Sequence, residues 1–419
     1  MKFRKMASVL LAASLLIGCA AAENRTIFKR MSEEETMLNE ALPVEERAES
    51  FSPAGLLSLN DRAAILVQDD TSRLYSLYTW QPGQQEMTLV ASNMYRAGGY
   101  AQLKDLQERL ENLKEDALAG TELPDAAHCF SMLVTDGEKV YGINHLTDGI
   151  FTISGENGKA VYTDVATMQD TKIFIQEEED YSYALLPDTV AASGNTVLML
   201  MNRWDDNGRV TNLYALSLTD GSVRKVNVEN VRNFCAYKDG KFLVIASQKK
   251  EDWDENGNRI PQMAMVYDPA TDTTTMLSSS IGVRDDFSYQ QLVYSEALDA
   301  VLYCDSTQIM GTTNFQKATL YAYLPVDGYH VAIVGDTIVS ADYSSGIFAR
   351  TLTENYQPNH VIHLSGTSVW GGIRDYAVDY PEVAGVWGLG DDRATPGENG
   401  PAGAFGAAGP GRVLWHVSS

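Results

Sequence analysis

Leu213-Tyr214-Ala215-Leu216-Ser217-Leu218, closed by Thr219-Asp220-Gly221 and resumed at Val223, is the phrase that decides the fold. Side chains alternate across a strand, so a short apolar run of this kind fits a pleated, half-buried segment, and Asp-Gly folds it back on the next. The phrase returns. Met265-Val266-Tyr267-Asp268-Pro269 leads through Thr271-Asp272 to Thr275-Met276-Leu277, Leu320-Tyr321-Ala322-Tyr323-Leu324 leads to Asp327-Gly328, and Leu74-Tyr75-Ser76-Leu77-Tyr78 leads to Pro82-Gly83. A shorter turn stands ahead of each: Asn60-Asp61, Asp136-Gly137, Ser193-Gly194-Asn195, Lys238-Asp239-Gly240, Leu298-Asp299 and Gly335-Asp336. Apolar runs such as Val197-Leu198-Met199-Leu200 and Phe242-Leu243-Val244-Ile245 follow these turns.

The unit recurs at intervals of about forty to sixty residues, the mark of a repeat architecture. A four-stranded unit cannot cover both of its faces alone, whereas a ring of units stacks face to face. The pattern over 51–358 resembles a β-propeller: all-β, about six blades of antiparallel strands, without a Trp-Asp or kelch signature. An irregular sandwich would not repeat two kinds of turn in the same order. One insertion interrupts the rhythm at 100–119, where Leu103, Leu106, Leu110, Leu113 and Ala117 recur three and four apart. That spacing predicts a single amphipathic helix with its leucine stripe against the body.

Of 419 residues, 44% are hydrophobic and 21% charged, and the net charge is −24. These proportions describe a globular chain, and the acidity excludes nucleic acid as a partner. Cys129, Cys235 and Cys304 lie far apart in apolar runs with no Cys-x-x-Cys, so they are expected to be buried thiols.

At the N-terminus, Lys2, Arg4 and Lys5 precede an apolar run from Met6 to Ile17. A basic start and a short apolar core describe an export signal. Leu16-Ile17-Gly18-Cys19 resembles the lipobox of bacterial lipoproteins, which implies cleavage after residue 18 and a diacylglyceryl group on Cys19. An ordinary secretory signal cut after Ala20-Ala21-Ala22 is the alternative. Residues 19–50, with Glu33-Glu34-Glu35 and Glu45-Glu46, read as an acidic tether.

At the other end, His360-Val361-Ile362-His363-Leu364, a helical pattern over 369–379 and Tyr380-Pro381-Glu382-Val383 form a β-α-β opening over 359–384. It resembles the start of the extracellular solute-binding domain of ABC importers, as found in Gram-positive lipoproteins. The likeness stops at Ala384. Residues 385–419 are rich in Gly, Ala and Pro and read as a disordered tail, either natural or the product of a truncated or shifted reading frame.

Motifs for chemistry are sparse. Asp252-Trp253-Asp254-Glu255-Asn256-Gly257 opens like a calcium loop, but Met263 stands where a bidentate acid would be needed. With Trp204-Asp205-Asp206-Asn207-Gly208 it is better read as a hairpin turn. Gly366-Thr367-Ser368-Val369-Trp370 lacks the closing glycine of a nucleophile elbow. Glu177-Glu178-Glu179-Asp180 reads as a solvated run, and the six histidines offer no ligand set. The sequence therefore predicts no catalytic, cofactor or metal residue, and one lipid-attachment residue, Cys19. It predicts a non-enzymatic, membrane-anchored recognition protein on the extracytoplasmic face, beside an ABC permease or with a surface glycan or protein ligand. The alternative is a propeller enzyme, quinoprotein-like or glycan-active, with carboxylates in its central channel.

Overall fold

The computed structural model describes residues 25–29, 51–69, 72–98, 103–116, 122–170, 172–177, 182–184, 186–187, 189–205, 208–250, 254–256, 260–282, 291–305, 308–323, 330–342 and 346–352. After β1 (Arg25–Lys29), blade one holds β2 (Phe51–Ser58), β3 (Ala63–Asp69), β4 (Tyr75–Trp80) and β5 (Thr88–Met94). Helix α1 (Leu103–Asp116) precedes blade two, which holds β6 (Met132–Thr135), β7 (Val140–Asn144), β8 (Gly149–Glu156) and β9 (Lys159–Thr167). A small hairpin, β10 (Ile175–Glu177) with β11 (Ser182–Ala184), leads to blade three: β12 (Thr189–Ser193), β13 (Thr196–Asp205), β14 (Gly208–Ser217) and β15 (Val223–Val226). Blade four is β16 (Val231–Tyr237), β17 (Lys241–Ser247), β18 (Gln262–Asp268) and β19 (Thr273–Ser278). Blade five is β20 (Leu292–Ser295), β21 (Ala300–Asp305), β22 (Gln308–Thr312) and β23 (Thr319–Tyr323). Blade six is β24 (His330–Val334), β25 (Thr337–Asp342) and β26 (Gly346–Thr351), and β1 supplies its fourth strand by pairing antiparallel with β26.

The first strands of the blades form the inner ring. β2, β6, β12, β16, β20 and β24 neighbour one another in that order, and β24 returns to β2. The period of two along a strand explains how each blade seals two neighbours. In β17, Phe242 and Val244 pack toward blade three with Leu198 and Leu213, while Leu243 and Ile245 pack toward blade five with Val301 and Tyr303. Every junction has such a cluster, and the last joins Ile65 and Trp80 of blade one to Ala332 and Ile347 of blade six. Each junction removes large side chains from water, at roughly 1.5–3 kcal/mol per buried aliphatic or Phe side chain.

All six short turns expected from sequence join a first strand to a second. They lie at one end of the ring, which we call the turn end. Hydrogen bonds link two of the neighbouring pairs: the Asn60 amide donates to the Gly137 carbonyl at 2.8 Å, and the Ser193 hydroxyl donates to the Tyr237 carbonyl at 3.5 Å. Three of the four closing hairpins are also found where expected. The fourth differs: Thr319–Tyr323 pairs back onto β22 as the outer strand of blade five, and Asp327-Gly328 lies outside the described residues.

In α1, Leu106 and Leu110 are buried with Leu74, Ala97, Leu123 and Cys129, and Leu113 packs beside them, so the middle of the expected stripe lies on the body; Leu103 is exposed, and Ala117 lies outside the described residues. Cys129, Cys235 and Cys304 are buried thiols outside any disulfide, and burial pushes the thiols of Cys129 and Cys235 up to about 12. One expectation fails in part. The segment 19–50 was expected to be a solvated tether throughout, yet Arg25–Lys29 is a strand of blade six. No helix among the described residues is long and apolar enough to cross a membrane. Cys19, the segment 359–384 and the tail 385–419 lie outside the described residues.

Candidate functional site

A cavity of about 1540 Å³ runs along the axis and touches all six inner strands. The inner strands run in parallel, so the cavity has a turn end and an opposite end where β2, β6, β12, β16, β20 and β24 begin. The latter is the loop end. There the cavity spreads over blades three and four, lined by Asn202, Asn212, Asn227, Asn230, Arg232 and Asn233.

A local irregularity sets Arg232 among these asparagines. The pairing of β16 with β17 slips between Val231 and Asn233, which makes Arg232 the inserted residue of a β-bulge. A bulge bends its strand and re-aims a side chain. Arg232 Nη2 donates to the Lys250 carbonyl at 2.6 Å, which fixes the guanidinium beside the loop after β17. Asn233 is buried, and its Oδ1 accepts from the Phe234 amide at 2.8 Å. Asn230, just before the strand, takes φ +52°, a conformation that asparagine tolerates better than most residues. On blade three, Thr211 Oγ1 donates to Asn202 Oδ1 at 2.5 Å.

Across the channel, His330 opens β24. Burial first, and the Arg96 guanidinium second, lower its pKa below the ordinary histidine value, so the imidazole is neutral near pH 7. Its neighbour Val331 is clamped by Gln291: the Gln291 amide nitrogen donates to the Val331 carbonyl at 2.8 Å, and the Val331 amide donates to Gln291 Oε1 at 3.0 Å. Two main-chain bonds from one side chain hold the start of β24 against blade five.

In a chain of net charge −24, the described lining carries Lys225, Arg232 and Lys250 against only Asp136 and Glu229. Those two carboxylates stand at opposite ends. Asp136 accepts from the Tyr141 hydroxyl at 2.7 Å and from the Glu138 and Lys139 amides at 2.8 Å, which holds its carboxyl below the usual range and marks it as a turn residue. Channel carboxylates, which only the enzyme alternative called for, are outnumbered in the described lining by amides and cations. Arg232, Asn233 and His330 went unnoticed in the sequence because a bulge and a channel-facing first residue leave no periodic trace.

The earlier motifs fall elsewhere. β13 and β14 pair up to Asp205 with Gly208, so that stretch is a hairpin, although 206–207 lie outside the described residues. Asp254 Oδ1 accepts from the Asn256 amide at 2.8 Å, an Asx turn between β17 and β18. Residues 178–180, His360, His363 and 366–370 lie outside the described residues.

Six radial four-stranded blades around an open channel define a β-propeller. No protein-family model matches the chain, and no curated protein matches it in sequence. Solved structures do match. A protein proposed to be a gluconolactonase has a TM-score of 0.44 at 11% identity, covering 80% of this chain and 93% of its own. A gluconolactonase from Xanthomonas campestris has a TM-score of 0.40 at 9% identity, covering 79% and 96%. The β-propeller domain of the trilobed protease from Pyrococcus furiosus, described as having an open velcro topology, has a TM-score of 0.38 at 7% identity, covering 74% and 96%. At these values the likeness is one of fold. The expectation of a non-enzymatic recognition protein beside an ABC importer is corrected to this extent: the neighbours include propellers described as gluconolactonases, and none is described as part of an importer.

Proposed function

We propose that this chain is a propeller enzyme that hydrolyses an ester or lactone bond in a polyhydroxylated, sugar-like substrate at the loop end of its channel. The observation that carries the reading is the β-bulge that sets Arg232 in a wall of asparagines. Amides donate and accept, so they suit a substrate bearing many hydroxyls. A guanidinium suits the negative charge that develops on the carbonyl oxygen as water attacks, and the carboxylate that remains. His330, neutral near pH 7, has the protonation state of a general base. In this scheme His330 takes a proton from water, the hydroxide forms a bond to the acyl carbon, and the ring or ester oxygen leaves with a proton.

Cys19 is proposed as the site of lipid attachment, on the strength of Leu16-Ile17-Gly18-Cys19, with the body on the extracytoplasmic face. The test of the activity is a panel of aldonolactones, sugar esters and chromogenic glycosides. Turnover confined to the first two groups is the expected result. No turnover of any of them, or turnover of glycosides alone, would overturn the reading.

A further inference from the structure

We infer that the substrate of this site is a sugar ester with an acyl chain, and that the chain runs down the axial channel from the loop end toward the turn end. This assignment rests on the ester-hydrolase site proposed above and names the half of the substrate that the asparagines do not hold. It follows from setting the six inner strands side by side. Ser58, Thr135, Ser193, Tyr237, Ser295 and Val334 are the last residues paired across the six short turns, so they mark a common level in the ring. From that level each inner strand can be followed back toward the loop end.

Four residues back, blades three to six reach Thr189, Asn233, Gln291 and His330, all of them in the channel lining. His330 and Asn233 thus stand at one level, with Arg232 next above. The three levels between these and the turns are different. They read Val190-Ala191-Ala192 in blade three and Val331-Ala332-Ile333 in blade six, and in none of the six strands do they hold a charged or amide side chain. Leu56, Val134, Leu292 and Ala332 are buried among the blades. Leu57, Leu133, Ala191, Ala236, Val293 and Ile333 are half-buried and line the channel, one from each inner strand. Together they form an apolar collar directly below His330.

A ring of apolar side chains facing an open channel gains when methylene groups cover it, and a pocket that is mostly apolar with a few placed polar groups is the usual design of a ligand site. Three levels at about 3.3 Å each make a shaft of about 10 Å. An extended chain of about eight carbons, with bonds of about 1.5 Å, has that length. With its chain in the shaft, an ester has its carbonyl at the level of Arg232 and His330 and its sugar against Asn202, Asn212 and Asn227. Hydrolysis then adds water across the acyl–oxygen bond, leaving a carboxylate beside Arg232 and a free hydroxyl on the sugar. At the foot of the shaft, the Ser58 hydroxyl accepts from the Ile333 amide at 2.9 Å and Thr135 Oγ1 from the Gly137 amide at 3.0 Å, so these oxygens serve the backbone of the turn end.

The experiment compares the acetyl, octanoyl and palmitoyl esters of glucose on the full chain. Full burial of a methylene is worth about fourfold, so kcat/KM is expected to rise at least about tenfold from acetyl to octanoyl and to level off by palmitoyl. Ala191→Phe fills the shaft from its wall and should bring the octanoyl-to-acetyl ratio, measured within the variant, to about one. A wild-type ratio near one, or a rise that continues undiminished to palmitoyl, would overturn the acyl shaft and leave the ester-hydrolase site standing. No turnover of any of the three would remove that site instead, and calorimetric titration of the wild type then judges the shaft alone. Octanoate bound at least about tenfold more tightly than acetate upholds it, and equal binding of the two removes it.

Discussion

The two ends of the channel are built from the same strands and differ in almost every other respect. At the turn end, six short connections repeat one design, and neighbours are linked by a main-chain bond from Asn60 to Gly137, by the Ser193 hydroxyl on the Tyr237 carbonyl, and by Lys238, which pairs with Asp299 at 2.5 Å across blades four and five. At the loop end the connections differ in length, and two inner strands carry a bulge, β2 at Ala54 and β16 at Arg232. Repetition serves closure of the ring. Departure from it frees side chains for chemistry, because a residue outside the ladder is aimed by its own geometry and not by the pleat.

The largest effect is expected at the loop end. His330→Asn should lower kcat by about 10²–10⁴-fold while the unfolding midpoint stays in place. The pH profile sharpens the point. Because the neutral imidazole is the active form and its pKa lies below the ordinary value, wild-type activity should persist below pH 6.5 and fall only at more acid pH. A profile that falls at the ordinary histidine value would separate His330 from the reaction.

Away from the channel, at the outer edges of blades two and three, the reverse split should appear. Gly221 closes the hairpin between β14 and β15 at φ +70°, and a Cβ there would stand 1.9 Å from the Thr167 carbonyl oxygen of blade two. Gly221→Ala should cost about 2–4 kcal/mol in a urea titration, since neither backbone yields readily. Its kcat at a temperature where it remains folded should match the wild type.

A third prediction concerns the loop that joins β7 to β8. His145 Nδ1 is bonded to the Ser131 hydroxyl, both residues are buried, and burial lowers the histidine pKa from 6.5 to about 4. The unfolded chain binds a proton there between those values, so stability is full above pH 6.5 and declines as pH falls toward 4. The loss amounts to about 3 kcal/mol by the lower limit, and His145→Gln should flatten that part of the stability curve. The smallest effect belongs to Lys238→Met. The ammonium is held between Asp299 and the rings of Tyr237 and Tyr294, but it is solvated, so a slight shift in urea midpoint that high salt abolishes is expected.

How much of this was legible in sequence follows the same division. Asp136-Gly137 and Lys238-Asp239-Gly240 announce their turns because positive φ restricts residue choice, and Gly137 and Gly240 indeed have φ +98° and +74°. Phe242 to Ile245 announce a strand buried on both faces because every residue is apolar. Arg232 announces nothing: it is one cation in a polar stretch, and only the slipped pairing with β17 places it in the channel. Arg25–Lys29 was hidden too, since five residues gain strand character from β26 and not from their own pattern. The asparagines were hidden for the same reason, as Asn227 and Asn230 resemble ordinary turn residues until the ring brings them to one mouth.

The most direct test of the division sets Arg232→Ala beside Tyr294→Phe, one at each end of the same cavity, and measures kcat/KM on the best lactone or ester. Loss of about 10²–10³-fold for Arg232→Ala, with little change for Tyr294→Phe and both proteins folded, is the predicted result. Full activity in Arg232→Ala, or a greater loss in Tyr294→Phe, would place the working end of the channel on the other side.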